Sequence, residues 1–313
     1  MADSFAPQTA SSRSRALTIT DNASNSPHVV SPTVIGVATA PAPTPTPSPT
    51  GAQLLFKSGF EGNVSLGSPY NVGPWGGWQD VVGDDTSTGF SFGSTVFGNK
   101  FTIQLLSGGG ILSDVIQNSI VSMTGHTGAT TRALQLDLKQ KVISDSQDQF
   151  MINVTQSPKE FYISEWIMYP ADLAQRLGPR QWVLGAPEWK SEGDFRIVYG
   201  AYPNLNGKQC WEVTWDTNAN GTIPLQVLYT EVNCNIPVPQ GQWFRVETYT
   251  RRGYGSDGRS WLKINGQLVF DHTGTTIGQN AAPINRLFIS GAYANFPVQT
   301  HIDDFEIWDK VPY

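Results

Sequence analysis

The residues best suited to chemistry lie in one stretch near the C terminus, residues 243–251, which reads as a β-strand. Successive side chains of a strand point to opposite faces. Arg245, Glu247 and Tyr249 therefore share one face, and the mainly apolar residues between them share the other. Aromatic rings can stack on the apolar faces of sugar rings, while Arg and Glu bond hydroxyl or carboxylate groups. This face suits the floor of a sugar-binding groove, although a solvated face laced with salt bridges would show the same pattern.

Two further residues suit a sugar site. Arg196 alternates with apolar residues in the predicted strand 194–200, so it points away from them and is placed to bond a carboxylate or hydroxyl group. Trp189 lies in the charged segment 188–193, which reads as an exposed loop, and its ring would offer a stacking platform. The alternative for Trp189 is a side chain that caps the core.

A different set of residues would suit β-elimination from a uronate sugar. That reaction needs a base for the C5 proton, an acid for the leaving oxygen, and a group that neutralises the carboxylate. His126, in a Gly-rich loop that could lie over a groove, Tyr199 and Tyr249 are the candidates for the acid and the base. Hydrolysis is not expected, because no two carboxylates stand on one strand face at the spacing that glycoside hydrolysis needs.

Strands joined by tight turns must position these residues. The predicted strands 260–264 and 267–271 are separated by Asn265 and Gly266, which is the strongest short signal for a β-hairpin. Alternating polarity continues to the last predicted strand, 300–308, with no helical stretch between. The sequence therefore predicts an all-β fold, a large antiparallel β-sandwich.

Composition excludes some classes of function. The net charge of -6 argues against an electrostatic nucleic-acid binder, and no apolar run approaches the length of a membrane span. A low share of charged residues, 15%, combined with 10 Trp suits a secreted β protein with aromatic binding surfaces, and we expect a monomer. Cys210 and Cys234 are the only cysteines, and their flanks look like adjacent strands. We predict a disulfide between them and hence an oxidising compartment, the alternative being two buried thiols.

Residues 41–52 predict a linker between two parts of the chain. Proline at every second position favours an extended polyproline II conformation and prevents a packed core. Residues 53–313 then form the main domain. Ahead of the linker, residues 16–30, with their Thr-Asp-Asn-Ala-Ser turn, resemble the last two strands of an immunoglobulin-like repeat of bacterial choice-of-anchor and hydin-like surface proteins. That resemblance implies that residues 1–40 are the truncated tail of an upstream domain, the alternative being a disordered arm, and that the protein is secreted or displayed on the cell surface.

Both ends of the main domain carry a second resemblance. The segments 55–62 and 302–308, together with Gly241-Gln242-Trp243 and the Asn-Gly hairpin, resemble the concanavalin A-like lectin/glucanase superfamily. Within that superfamily the order of elements is similar to polysaccharide-lyase-like and laminin-G-like domains. The resemblance implies a jelly roll whose first and last strands pair side by side.

The same resemblance implies a structural calcium ion where the two ends meet. Such jelly rolls hold calcium through carboxylates and backbone carbonyls, the oxygen ligands that this ion prefers. Glu61 and one of Asp303 and Asp304 are the expected ligands, because strand alternation lets only one of the two Asp side chains face the site. The alternative is a set of surface carboxylates that bind nothing.

The function expected from the sequence is recognition of an extracellular polysaccharide by this jelly roll, and the residues expected to bind it are Trp189, Arg196, Arg245, Glu247 and Tyr249. One alternative is a polysaccharide lyase that cleaves a uronate-containing glycan. A second alternative is a laminin-G-like adhesion module that binds protein.

Overall fold

The chain divides into two compact units, residues 1–47 and 48–313. The computed structural model describes residues 51–143, 146–177, 182–184, 187–203, 206–218 and 225–313, and the backbone of four short strands in the first unit. There β1 (Ser12–Ser14) pairs antiparallel with β4 (Thr33–Ile35), and β2 (Leu17–Ile19) with β3 (His28–Val30). The turn that carries the immunoglobulin-like resemblance and most of the predicted linker lie outside the described residues, so both stay predictions.

The second unit is built of strands, joined by turns and two short helices among the described residues. The strands are β5 (Leu54–Ser58), β6 (Ser65–Leu66), β7 (Tyr70–Gly73), β8 (Gly76–Val82), β9 (Asp84–Asp85), β10 (Phe90–Ser91), β11 (Phe101–Leu106), β12 (Ser119–Thr124), β13 (Thr130–Leu138), β14 (Gln147–Asn153), β15 (Glu160–Met168), β16 (Val183–Leu184), β17 (Glu188–Ser191), β18 (Phe195–Pro203), β19 (Gln209–Asp216), β20 (Val227–Asn233), β21 (Trp243–Arg251), β22 (Arg259–Ile264), β23 (Gln267–Thr273), β24 (Arg286–Ala294) and β25 (Val298–Trp308). The helices are α1 (Leu112–Val115) and α2 (Leu173–Arg176), and a single 3₁₀ turn spans Gly255–Asp257. No helix in the described ranges has the length and apolar character needed to cross a lipid bilayer.

Among the described strands of the second unit, β9 and β10 pair only with each other, and the others form two antiparallel sheets. The larger sheet has the order β20-β19-β18-β16-β24-β14-β11-β8-β6, with β17 also joined to β18 and β24, and β7 to β8. The smaller sheet has the order β12-β13-β25-β15-β21-β22-β23, and β5 pairs with β25. The first and last strands of this unit thus lie side by side, and the predicted all-β antiparallel sandwich of the jelly-roll type is confirmed.

Aromatic side chains fill the space between the two sheets. Rings from both ends of the chain meet at the centre, with centroids 4.5 Å apart for Phe56 and Phe101 and 5.5 Å apart for Phe56 and Phe305. Such ring pairs contribute about 0.5–1.5 kcal/mol each beyond the burial of their area. The inner face of each sheet therefore packs in the core, and the alternate, polar residues of each strand lie on the outer face.

The hairpin between β22 and β23 turns as predicted. Asn265 and Gly266 both have positive φ values, 50° and 77°, which a two-residue hairpin turn requires and which Asn and Gly adopt at little cost. The turn sets Ile264 opposite Gln267.

A disulfide joins Cys210 of β19 to Cys234, directly after the edge strand β20. This is the pairing expected from the sequence. It ties the outermost strand of the larger sheet to its only neighbour in that sheet among the described strands.

Candidate functional site

A row of cationic side chains crosses three neighbouring strands of the larger sheet. Lys190 of β17 is the direct cross-strand partner of Arg286 on β24 and of Arg196 on β18. Trp189, between the outward residues of β17, is only 2% exposed and belongs to the core, so Lys190 points to the outer face. Like charges directly opposite each other destabilise a sheet. The row therefore needs anions beside it, and these come from the chain's own carboxylates or from a ligand.

Carboxylates surround the row unevenly. The Arg196 Nε lies 2.8 Å from the Asp216 carboxylate, which fixes the guanidinium in place. Lys190 Nζ is 3.9 Å from the nearest Glu188 oxygen, and Arg286 is 3.9 Å from exposed Glu192. Neither distance is that of a direct hydrogen bond. Lys190 and Arg286 thus keep donors that a ligand's carboxylate could accept from.

Lys190 has an unusual electrostatic environment. Burial lowers the pKa of its ammonium group, Glu188 raises that pKa in part, and the neighbouring Arg286 and Arg196 lower it again. The side chain is 15% exposed, and Nζ lies 4.6 Å from the centre of the Phe288 ring. A lysine whose ammonium group has a lowered pKa gives up its proton more readily than an exposed lysine, and the resulting amine can act as a base.

Aromatic side chains line the other end of the same face. Tyr202 of β18 follows Ala201, and Tyr293 of β24 precedes Ala294. Both alanines are buried in the core, so the two tyrosines point outward. The Tyr293 ring packs edge-on against Trp182, with centroids 4.6 Å apart. Burial raises the pKa of the Tyr202 hydroxyl, which keeps it protonated at neutral pH and able to donate. The outer face therefore combines cations, phenols and an indole, the side-chain types that bind acidic sugars.

Of the residues predicted to bind a glycan, the structure places Arg196 on this face and Trp189 in the core, together with the predicted catalytic residue Tyr199. The segment after residue 187 is strand β17 rather than an exposed loop, and its alternation turns Trp189 inward, where its indole N–H donates to Thr250 Oγ1 at 3.0 Å. Tyr199 is 3% exposed and hydrogen-bonded to Ser260 at 2.8 Å. The predictions of a Trp189 platform and a catalytic Tyr199 are therefore wrong.

Arg245, Glu247 and Tyr249 do share one face of a strand, but that face belongs to the smaller sheet and is covered over Glu247 and Tyr249, whereas the Arg245 side chain is 29% exposed. Glu247 is 4% exposed and accepts hydrogen bonds from Tyr162 at 2.7 Å and from Tyr313, in the segment after the last strand, at 3.2 Å. Tyr249 is 6% exposed. The prediction of a groove floor here is corrected, because these polar groups satisfy one another beneath the C-terminal residues.

His126 also lies on the smaller sheet. Its ring stacks on Trp166 with centroids 4.0 Å apart and planes 6° from parallel, and Nε2 is 2.8 Å from Asp304 Oδ2. With Tyr199 in the core and Tyr249 beneath the C-terminal residues, the three residues predicted for elimination do not form one site. A catalytic role for His126 by itself stays a prediction.

The carboxylates predicted to bind calcium lie close together. Alternation was expected to admit only one Asp, but Asp304 has a positive φ of 43° at an irregularity of β25, and both Asp carboxylates lie beside Gly59. Burial, followed by the charge of Asp304, raises the pKa of Asp303 to about 7. The negative charge of Glu61 also raises the pKa of Asp303. Glu61 accepts hydrogen bonds from the Thr131 hydroxyl and from the backbone N–H of Arg132.

Whether these carboxylates suit calcium can be judged from their atoms. Asp303 is 1% exposed, and its Oδ2 has no hydrogen-bond partner among the described residues, which is what an oxygen that awaits a cation would show. Across the described ranges, however, no three His, Cys, Asp or Glu side chains are grouped as a metal site. The oxygen donors are of the type that calcium prefers, but their positions do not form a metal site among the described residues. The calcium ion remains a prediction.

Sequence reasoning missed Lys190, Arg286, Tyr202 and Tyr293. Lys190 could have been found from the alternation of charged and aromatic residues in Glu188-Trp189-Lys190. Arg286 could have been found as the cation at the start of the mainly apolar strand β24. What the sequence does not show is that these short strands are neighbours.

No protein-family model and no curated protein sequence matches this chain. Among solved structures, an alginate lyase has a TM-score of 0.44 at 15% identity, over 78% of this chain and 96% of that one. The endo-β-1,4-glucuronan lyase of the fungus Trichoderma reesei has a TM-score of 0.45 at 13% identity, over 61% of this chain and 87% of that one. The receptor-binding domain of botulinum neurotoxin type G has a TM-score of 0.36 at 14% identity, over 79% of this chain and 47% of that one. At such TM-scores these similarities support no statement about what this chain does.

Proposed function

We propose that the outer face of the larger sheet binds an acidic extracellular polysaccharide, with sugar carboxylates held by Arg286, Lys190 and Arg196. The observation that carries the proposal is the register of these three cations on neighbouring strands. A bound carboxylate relieves the repulsion within the row and forms charge-assisted hydrogen bonds, which are the strong ones. The predicted export agrees with the Cys210–Cys234 disulfide, since disulfides persist in oxidising compartments.

The dimensions of the row favour a chain of sugars over a single anion. Neighbouring strands lie about 4.8 Å apart, so three strands extend the row over about 10 Å. Tyr202, Tyr293 and Trp182 continue the face beyond the cations and supply rings for stacking and hydroxyl groups for hydrogen bonds.

Migration of the full chain in native gels that contain alginate, polyglucuronate, pectate or neutral dextran tests this proposal. We expect retardation in at least one acidic gel and none in dextran. Arg286→Ala should weaken binding by roughly tenfold or more, the effect of losing a hydrogen bond of about 1.5–3 kcal/mol to a charged group. The matched control is Arg259→Ala, because Arg259 lies on the smaller sheet and pairs with Asp271. Equal retardation of both variants, or none in any acidic gel, would overturn the proposal.

A second candidate function, β-elimination at the same face, is favoured by the position of Lys190 directly between Arg196 and Arg286, where burial and the two cations lower the pKa of its ammonium group. In this reaction neutral Lys190 Nζ takes the C5 proton of a uronate whose carboxylate Arg286 or Arg196 neutralises. A double bond forms between C4 and C5 as the C4–O4 bond breaks, and Tyr202 or Tyr293 protonates the leaving oxygen. Neither water nor a redox partner is consumed.

The ultraviolet absorbance of the unsaturated product separates elimination from binding alone. If elimination occurs, Lys190→Arg should abolish the rise in absorbance and preserve gel retardation, because Arg keeps the positive charge but cannot act as a base at neutral pH. Tyr202→Phe and Tyr293→Phe would show which phenol is the acid. A wild-type chain that is retarded by a uronate glycan but gives no absorbance change is a binding protein only.

A further inference from the structure

A cavity of about 610 Å³ opens at one end of β18 and β19, and none of the cations of the row lines it. Aromatic rings make up much of its wall: Phe195, Trp215, Tyr229, Tyr254 and His272. Its volume lies within the usual range of small-molecule sites. Trp215 points inward from β19, whereas the adjacent Asp216 holds Arg196 on the outer face, so the sheet itself separates the cavity from the row.

The rings pack in a fixed arrangement. The His272 ring stands edge-on to Trp215 with centroids 4.1 Å apart, and Tyr229 lies 4.8 Å from each of them. Their mutual packing restrains the side chains, so the wall is formed before any ligand arrives.

Two polar atoms in this wall lack partners. In the described part of the chain, neither the Trp215 indole N–H nor His272 Nε2 has a hydrogen-bond partner, and both atoms are shielded from solvent, with His272 Nε2 packed beside Gly274. A buried polar group without a partner costs about 1–3 kcal/mol.

The charge of the lining excludes an acidic ligand. No Lys or Arg is among the described residues that line the cavity, and its one carboxylate, Asp194, already accepts hydrogen bonds from the backbone N–H groups of Asn280 and Ala282. Thr217 and Gln226 add neutral polar groups. A uronate would meet no cation here, so the cavity and the cationic row suit different sugars.

We propose that this cavity is a second binding site, specific for a neutral sugar of one or two rings. Planar aromatic walls, the neutral polar residues Thr217 and Gln226, and the absence of a cation among the described lining residues together favour a neutral, hydroxyl-rich ligand with apolar ring faces. The proposal does not depend on acidic glycan binding at the row.

Calorimetric titration of the full chain with cellobiose, maltose, lactose, mannobiose and xylobiose tests the second site. We expect at least one of these disaccharides to bind. Leu228→Arg places a bulky cation at a residue that lines the cavity and is 47% exposed, so the fold should tolerate the change. The matched control is Val232→Arg, on the same strand β20, 52% exposed and away from the cavity.

Loss of neutral-sugar binding in Leu228→Arg, with wild-type binding in Val232→Arg, would support the site. Tyr254→Ala should also weaken binding, by roughly tenfold for the loss of a stacked ring at the rim. Binding of none of the five disaccharides, or binding that survives Leu228→Arg, would overturn the proposal. Arg286→Ala should leave neutral-sugar binding unchanged, so failure of the cationic row and failure of the cavity are distinguishable.

Discussion

Lys190 and Arg286 face each other directly across β17 and β24, and both cations point away from the core. The smaller sheet shows the opposite arrangement, because there Lys57 faces Glu306 and their charged atoms are 2.9 Å apart. A sheet selected for stability alone favours the second kind of pair. The pair of Lys190 and Arg286 is the one for which we propose an anion from outside the chain.

This comparison predicts opposite effects of two matched substitutions on stability. Arg286→Met removes a cross-strand repulsion and should raise the free energy of unfolding by about 0.5 kcal/mol, whereas Lys57→Met removes an attraction and should lower it by a similar amount. Urea denaturation at low ionic strength measures both. A loss of stability in Arg286→Met would instead mark the row as structural.

Buried Asp148 predicts how stability depends on pH. It is fully buried, its Oδ1 accepts a hydrogen bond from Asn118 at 3.1 Å, and burial raises the pKa of its carboxyl to about 8. Because the folded pKa is raised, the contribution to stability is fully present below the unfolded pKa of about 3.9 and is lost as the pH rises toward the folded value. The free energy of unfolding should therefore decrease as the pH rises from about 3.9 to about 8.

Asp148→Asn tests that assignment, since Asn keeps the acceptor oxygen and cannot ionise. The variant should show a flatter pH profile and a stability advantage that grows as the pH rises toward about 8. Asp114→Asn, at an exposed carboxylate, should retain the wild-type profile. Parallel profiles for wild type and Asp148→Asn would show that Asp148 does not titrate in this range.

The disulfide predicts a measurable loss of stability on reduction. Cys210 and Cys234 are separated by 24 residues, and closing a loop of this length stabilises the folded state by about 3 kcal/mol in the chain-entropy model. Thermal denaturation with and without a reductant, alongside the Cys210→Ser/Cys234→Ser double variant, measures it. The double variant should match the reduced wild type and no longer respond to the reductant. Equal melting temperatures with and without reductant would refute the expected contribution.

Calcium is tested by its effect on the melting temperature. If Glu61, Asp303 and Asp304 hold the ion, calcium at one hundred times its dissociation constant should stabilise the fold by about 2.7 kcal/mol. Asp303→Asn should abolish the effect, and Asp84→Asn, at an exposed carboxylate outside the predicted ligand set, should preserve it. Identical melting curves in calcium and in chelator would remove the predicted site.

The fold was predictable because its signals are local. Alternation along β21 correctly places Phe244 and Val246 in the core, and the Asn265–Gly266 turn needs only its two residues. Sequence cannot show, however, what covers the other face of β21. Tyr313 does so from the chain terminus, which turned a plausible groove floor into a buried polar layer.

The candidate site was not predictable because it exists only through sheet topology. Lys190 lies in a strand of four residues whose local pattern also fits a loop, and Arg286 is remote from it in sequence. Only the pairing of β17 with both β18 and β24 sets their charges side by side. Arg196 was identified because its own strand shows clear alternation.

The central claim, that the cationic row binds acidic glycan, is tested most directly by calorimetric titration of the full chain with an oligosaccharide of linked uronates. Lys190→Ala/Arg286→Ala is compared with Lys100→Ala/Arg259→Ala, a double variant of equal charge whose residues lie outside the row. We predict wild-type binding that weakens with salt, persists in the control variant, and falls by more than roughly tenfold in the row variant. Equal affinities for the two double variants, or no binding by the wild type to any uronate oligosaccharide, would contradict the claim.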